Sequence, residues 1–176
     1  VFSNLINAGV YVVQRDVLDL IPENEFSDFS MHIIPKVIAT GRRVQGYRLS
    51  GMWMDVGRPH DLLRANLAVA ANEFSDGFPG SVSDTRLDGT VYVGIGASVD
   101  RSELKDSVVL RGSHVADCVM THSMVMDGCK VDGAEISDSI LGDGCMVSKG
   151  AVIRNSVLAD GTVVGPGEVI DQGRAV

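Results

Sequence analysis

Asp55 stands where a side chain could do chemistry. It lies in "GMWMDVGRPHDLLRANLAVA", residues 51–70, where an apolar stretch ends in a carboxylate and a Gly-Arg-Pro turn leads into an amphipathic helix. A carboxylate between Met54 and Val56 is costly to bury unless it is paired or bound to a metal. Two roles suit it. It can cap the turn that follows, as Asp commonly does, or it can ligate a cation. Mg²⁺ takes one or two carboxylates and leaves its other positions to phosphate oxygens and water. In α/β sheets the C-terminal end of a strand borders the ligand crevice, so the elements around Asp55 decide what it can reach.

Residues 1–72 read as α/β. "INAGVYVV", residues 6–13, is a short apolar run rich in β-branched residues and predicts a buried strand. "RDVLDLI" predicts a helical turn or two closed by Pro22. "DFSMHIIPKVIATG" predicts a helix started by Asp28 or Ser30 and ended by Gly41, with Pro35 marking a kink or a late start. "RVQGYRLSGMWMDVG" predicts two short strands turning near Ser50-Gly51, which would put Asp55 at a strand tip. A helix from His60 to Asn72 follows, with Leu62, Leu63, Leu67 and Val69 on its apolar side. Residues 73–90 are rich in Gly, Ser and Asp without periodicity and read as a linker.

From Val91 the pattern changes. "DSVVLRGSHV" from Asp106, "HSMVMDGCKV" from His122, "DSILGDGCMV" from Asp138 and "NSVLADGTVV" from Asn155 start 16, 16 and 17 residues apart, with Gly112, Gly128, Gly144 and Gly161 in register. This is an internal repeat. Within it the apolar residues step by five or six: Val109, Val115, Met120, then Val125, Val131, Ile136, then Leu141, Val147, Ile153, then Leu158, Val164, Ile170. Three inward residues per coil, separated by turns, describe a triangular prism with one short parallel strand on each face. The glycines fall where a corner needs positive φ. The spacing resembles the hexapeptide repeat of the left-handed parallel β-helix, so 91–176 is expected to be one. That fold serves transferases and passive assembly modules alike.

Strand alternation then places Val108, Met124, Ile140 and Val157 on the outside of one face. A solvated face would carry charge, so this one is expected to be covered by the α/β part, by a missing N-terminal domain or by a second subunit. A homo-oligomer built through these four residues follows as an expectation. His114 and His122 are the candidates for an acyltransferase site in the β-helix, but no cluster of Lys, Tyr and Asn accompanies them in the sequence. His122 instead falls between Asp106 and Asp138 of neighbouring coils. Cys129 and Cys145 occupy one place in consecutive coils with parallel side chains, which suits a disulfide poorly. Their spacing with His fits no usual zinc pattern. Asp127, Asp143 and Asp160 read as turn aspartates preceding Gly.

Composition bounds the rest. With 45% hydrophobic and 22% charged residues the chain is ordinary for a soluble globular protein, and a net charge of −8 speaks against a nucleic-acid surface. No apolar run approaches the roughly 18 residues of a membrane span. No signal peptide is visible, and three irregularly spaced Cys make no disulfide framework, so a reducing, cytoplasmic setting is expected. The first residue is Val1 and a strand pattern begins almost at once, which reads as the C-terminal piece of a longer chain.

"NAGVYVV", "DFSMHIIPK" and "GMWMDVGRPHDLLRANL", in that order and followed by a β-helix, resemble the C-terminal portion of the sugar-1-phosphate nucleotidyltransferases, in particular the longer ADP-glucose and GDP-mannose pyrophosphorylases. The resemblance covers nearly all of the chain. It implies a fold in which the C-terminal part of an α/β nucleotidyltransferase domain is followed by a left-handed β-helix. It implies a reaction in which a hexose 1-phosphate (glucose or mannose) and a nucleoside triphosphate give a nucleoside-diphosphate sugar and pyrophosphate. Asp55 matches the family's second metal-binding Asp, for Mg²⁺. Asn7, Ala8 and Gly9 match the strand lining the sugar pocket, with Asn7 bonding sugar hydroxyls. Ser30 stands where many members carry a sugar-contacting Glu, and Arg58 where Thr is common. The family's Gly-rich nucleotide loop is not matched anywhere before Val91, and "GIGASVDRSE" belongs to the β-helix region. Catalysis by this chain alone is therefore not expected, and no residue in it is assigned as catalytic. The other readings are a non-catalytic oligomerisation or regulatory β-helix, and a bifunctional enzyme with acyl transfer in the β-helix.

Overall fold

The structure, a computed structural model, describes residues 5–173. The chain divides into two compact units, the first ending at Trp53 and the second starting at Met54.

The first unit is built on short helical pieces. A 3₁₀ turn, Arg15–Leu20, stops where Ile21 turns extended ahead of Pro22. The Asp28 carboxylate accepts the Met31 N–H at 2.7 Å and starts a π-turn, Phe29–Ile33, that runs into α1, Ile34–Ala39. Pro35 sits in the first turn of α1, where its missing N–H costs nothing. Gly41 follows at φ 75°, the left-handed conformation that ends a helix. Val17, Ile33 and Val37 form the buried centre, with Leu20 and Phe29 against it. The strands expected over 6–13 and 43–57 are not formed, and Ile6 (75%) and Val12 (101%) are exposed. An apolar run becomes a strand only when a neighbour takes its N–H and C=O groups. Among the described residues none does so.

The second unit opens with α2, Pro59–Glu73, whose Pro59 sits at the first helical position. Parallel pairing then starts at Ser81, inside the stretch that reads as a linker, where Ser81–Ser83 pairs with Ser98–Asp100. Val82, Leu87 and Val93 keep the same five-and-six step as the later coils, but one strand of three residues is too short to show as periodicity.

Three parallel ladders run the length of this unit. One stacks Val82, Val99, Val115, Val131, Val147 and Val164. The next stacks Leu87, Leu104, Met120, Ile136, Ile153 and Ile170. The third stacks Val93, Val109, Val125, Leu141 and Leu158. The expected inward residues all point into this one core, where only Ile170 of the last coil is partly exposed. Gly112, Gly128, Gly144 and Gly161 turn one corner with φ between 65° and 69°. A second corner is turned by Asp106, His122, Asp138 and Asn155 at φ 45–47°, residue types that tolerate the left-handed region better than most.

Buried serines bind successive coils. The Ser107, Ser123, Ser139 and Ser156 hydroxyls each accept a backbone N–H from the next coil, at 3.3, 3.2, 3.1 and 3.0 Å. Each also donates to the carbonyl two residues earlier, so these interior hydroxyls leave no buried donor unmet.

The apolar outer face is covered from within the chain. Leu63 of α2 (1% exposed) lies in one buried cluster with Val108 (1%), Met124 (1%) and Ile140 (6%). Leu62, Leu67, Tyr92 and Val157 pack around them. Of the three covers that the sequence leaves open, the cover is thus the chain's own helix. This corrects the expectation that Val108, Met124, Ile140 and Val157 form a subunit surface, because α2 occupies it. Leu63, Leu67 and Ala70 follow the helical stripe, whereas Val69 falls off it and is 39% exposed.

Candidate functional site

In the first unit, two segments distant in sequence meet side by side. The Asn7 Nδ2 donates to the Ser30 hydroxyl at 2.6 Å and to the Tyr11 hydroxyl. The Tyr11 and Ser30 hydroxyls are 2.9 Å apart. The Asn7 Oδ1 accepts the Gly9 N–H at 2.9 Å, an Asx-turn that Gly9 completes at φ 72°. Within this unit nothing lies within 4 Å of a Cβ built at Gly9, so here the glycine serves the turn and not a close approach. Ala8 is half-buried between them. The Tyr11 ring stacks on Phe29, centroids 5.0 Å apart, and so ties the "NAGVYVV" segment to the π-turn that carries Ser30. Asn7 and Ser30 are exposed. A cluster of an amide and two hydroxyls without a formal charge is suited to hydroxyl-bearing ligands.

The sequence names Asn7, Ala8, Gly9 and Ser30 for this region and does not single out Tyr11. The signal was present. Residues i and i+4 of an extended segment share a face, which puts Tyr11 with Asn7, but Tyr11 also lies in the apolar run that predicts a buried strand.

Asp55 belongs to the second unit. It is exposed and lies in irregular chain, not at a strand tip. It does not cap α2: the capping position is Arg58, with no side-chain cap bond. Among the described residues the Asp55 carboxylate has no hydrogen-bond or ionic partner. Among them, too, no group of three or more His, Cys, Asp or Glu gathers for a metal. One unpartnered carboxylate fits Mg²⁺ as a single ligand that leaves the remaining positions to phosphate and water. Arg58 is exposed at the helix start.

The β-helix candidates resolve otherwise. His122 Nδ1 lies 2.9 Å from Asp138, while Asp106 turns to the Thr90 N–H at 3.0 Å, so His122 has one carboxylate partner and not two. His114 Nδ1 meets the Ser98 hydroxyl at 2.7 Å on an open face shared with Lys130, Asp132 and Lys149, a grouping that linear spacing hides. The Asp127, Asp143 and Asp160 carboxylates accept the N–H groups of Arg111, Asp127 and Asp143 one coil away, at 3.1, 2.9 and 2.9 Å, as turn aspartates do. Cys118, Cys129 and Cys145 are free and buried. Loss of hydration raises all three thiols, Cys129 to about 11. Among the described residues no helix is long and apolar enough to cross a membrane.

Comparison with known proteins divides the chain at a different place from the two compact units, leaving α2 with the first part. Residues 1–72 match the nucleotidyl transferase family, and residues 110–173 match the GlmU-like C-terminal hexapeptide family. A mannose-1-phosphate guanyltransferase of Sulfolobus acidocaldarius is 31% identical over 112 residues, 61% of this chain and 30% of that protein. The bifunctional protein GlmU of Methanocaldococcus jannaschii is 40% identical over 72 residues, 36% of this chain and 16% of that protein. A glucose-1-phosphate adenylyltransferase of Desulfitobacterium hafniense is 29% identical over 135 residues, 65% of this chain and 34% of that protein. The chain thus spans about a third or less of the length of these relatives.

Proposed function

We propose that this chain, whose first 72 residues belong to the nucleotidyl transferase family and whose residues 110–173 are GlmU-like hexapeptide repeats, is part of a hexose-1-phosphate nucleotidyltransferase. The observation that carries the reading is the meeting of Asn7 and Ser30 at 2.6 Å, in the segments that resemble the family's sugar pocket. The substrates are a hexose 1-phosphate, glucose or mannose, and a nucleoside triphosphate. An oxygen of the sugar phosphate attacks the α-phosphorus, the bond to the bridging oxygen breaks, and pyrophosphate leaves. Asn7, Ala8, Gly9 and Ser30 bind and orient the sugar, which places the nucleophile. Asp55 is one ligand of a Mg²⁺ ion. When bound, the ion neutralises charge developing on the α-phosphate. The full-length protein works in the cytoplasm, a setting that unpaired cysteines suit. The present chain alone, with no glycine-rich nucleotide loop before Val91, does not turn over.

The test is pyrophosphate release by the full-length reading frame and by this chain. Glucose and mannose 1-phosphates are crossed with each nucleoside triphosphate. Release for one pair by the full-length protein alone supports the reading; release for none, from folded protein, removes it.

A second reading rests on the β-helix surface. Met146 (48% exposed) and Val163 (61%) are paired neighbours in adjacent coils, away from the face that α2 covers. An apolar pair there suits a homo-oligomer contact, and the β-helix then serves assembly whether or not the parent is catalytic. Light scattering of wild type and Met146→Glu/Val163→Glu tests it: a mass that falls to the monomer supports the contact, and a monomeric wild type removes it.

A further inference from the structure

We infer that Tyr11 is a positioning residue of the sugar site, setting which polar atoms of Asn7 and Ser30 face the ligand; the inference rests on the nucleotidyltransferase reading above. The argument is a count of hydrogens. The Gly9 N–H points at Asn7 Oδ1, which fixes the orientation of the amide. Both Nδ2 hydrogens are then used, one by Ser30 and one by Tyr11. The two hydroxyls are 2.9 Å apart and share one hydrogen between them. A phenol is the better donor and the poorer acceptor of the two, so Tyr11 donates to Ser30. Ser30 Oγ thereby accepts twice and has its own O–H left over. The triangle then offers one outward donor, the Ser30 O–H, beside one strong outward acceptor, the second lone pair of Asn7 Oδ1; the remaining lone pair of the Tyr11 phenol is a poorer acceptor.

A donor beside an acceptor is the complement of a sugar hydroxyl, which both accepts and donates. It does not complement a keto group, which only accepts, or an ammonium, which only donates. Tyr11 need not touch the sugar to have this effect. Without its hydroxyl, one Asn7 N–H is released, Ser30 is free to turn its O–H elsewhere, and the outward pair is no longer fixed. The ring contact with Phe29 is independent of the hydroxyl, so Tyr11→Phe removes the hydrogen bonds and keeps the stacking.

The experiment uses the full-length enzyme and its preferred hexose 1-phosphate, with each monodeoxy analogue in turn. For Tyr11→Phe, KM for the parent sugar is expected to rise about tenfold with kcat within about twofold, as for the loss of one well-placed hydrogen bond. For the single deoxy analogue that lacks the recognised hydroxyl, wild type and Tyr11→Phe are expected to have the same KM. Ser30→Ala should remove discrimination against that same analogue, and adding Tyr11→Phe to it should cost little more. A Tyr11→Phe variant with unchanged KM and unchanged discrimination overturns the inference while leaving the activity standing. So does a variant with a wild-type unfolding midpoint that loses kcat equally with every sugar, since a positioning role at one hydroxyl predicts a KM effect that depends on the sugar. A wild type that is inactive with every hexose 1-phosphate overturns the functional reading, and this inference with it.

Discussion

The Ser123 hydroxyl accepts the Ser139 N–H at 3.2 Å and donates to the Thr121 carbonyl at 2.8 Å, so one buried side chain joins two coils of the β-helix. Its neighbours Ser107, Ser139 and Ser156 repeat the arrangement. A separate column stands at another corner, where Ser102 Oγ accepts the Cys118 N–H at 3.0 Å and the Cys118 Sγ takes the Ala134 N–H at 3.4 Å.

Ser123→Ala leaves the Ser139 N–H buried without a partner. The expected cost is about 1–3 kcal/mol, the usual penalty for an orphaned buried donor. Urea unfolding followed by circular dichroism measures it. A midpoint unchanged from wild type would show that the serine column is incidental to coil stacking.

Leu63→Ala is expected to cost about 2–5 kcal/mol, the range for truncating a fully buried leucine. It should also expose Met124 and Val108, read as increased binding of a hydrophobic dye. Val69→Ala, on the exposed side of the same helix, should change stability by less than about 0.5 kcal/mol. Equal effects from the two substitutions would contradict the placement of α2 on this face.

The three thiols should resist alkylation in the folded protein at about pH 8, where an exposed thiol reacts readily, and react together once the chain is unfolded. Their raised pKa also gives stability a pH dependence with a definite sign. For Cys129 the folded thiol stays protonated up to about 11, while the unfolded thiol ionises near its ordinary value of 9.0. The unfolded state therefore holds fewer protons in this window, and stability should fall as pH rises through it. Cys129→Ser, measured between pH 9 and 11, should reduce that fall. A rise of stability in the window would contradict the assignment.

Asp55→Asn in the full-length enzyme is expected to lower kcat by on the order of a hundredfold or more, as for loss of a charge-stabilising group at the reacting phosphate. Because Asp55 caps no helix, helix content and the unfolding midpoint should not move. The cation concentration giving half-maximal activity should rise. Full activity with wild-type cation dependence would remove Asp55 from the metal site.

Much of the second unit can be read from the chain because its rules are local. A five-and-six apolar step and a Gly, Asp, Asn or His at each corner are sufficient to specify short parallel strands and left-handed turns. The sequence by itself determined the inward residues from Val109 to Ile170 and the glycine corner, and it narrowed the helical start to Asp28 or Ser30, between which the structure chose Asp28. Through the family resemblance it also pointed to Asn7, Ala8, Gly9 and Ser30, and by its own setting to Asp55. The tertiary structure alone decided what covers the outer face at Met124, because a helix stripe around Leu63 does not state which surface it will bury. It decided that 6–13 is not a strand in this chain, since pairing depends on a neighbour and not on the run itself. It also decided that Tyr11 joins Asn7 and Ser30. The residues of that triangle are far apart in sequence, and hydrogen bonds of such reach are set by how segments fold back, which no local spacing encodes.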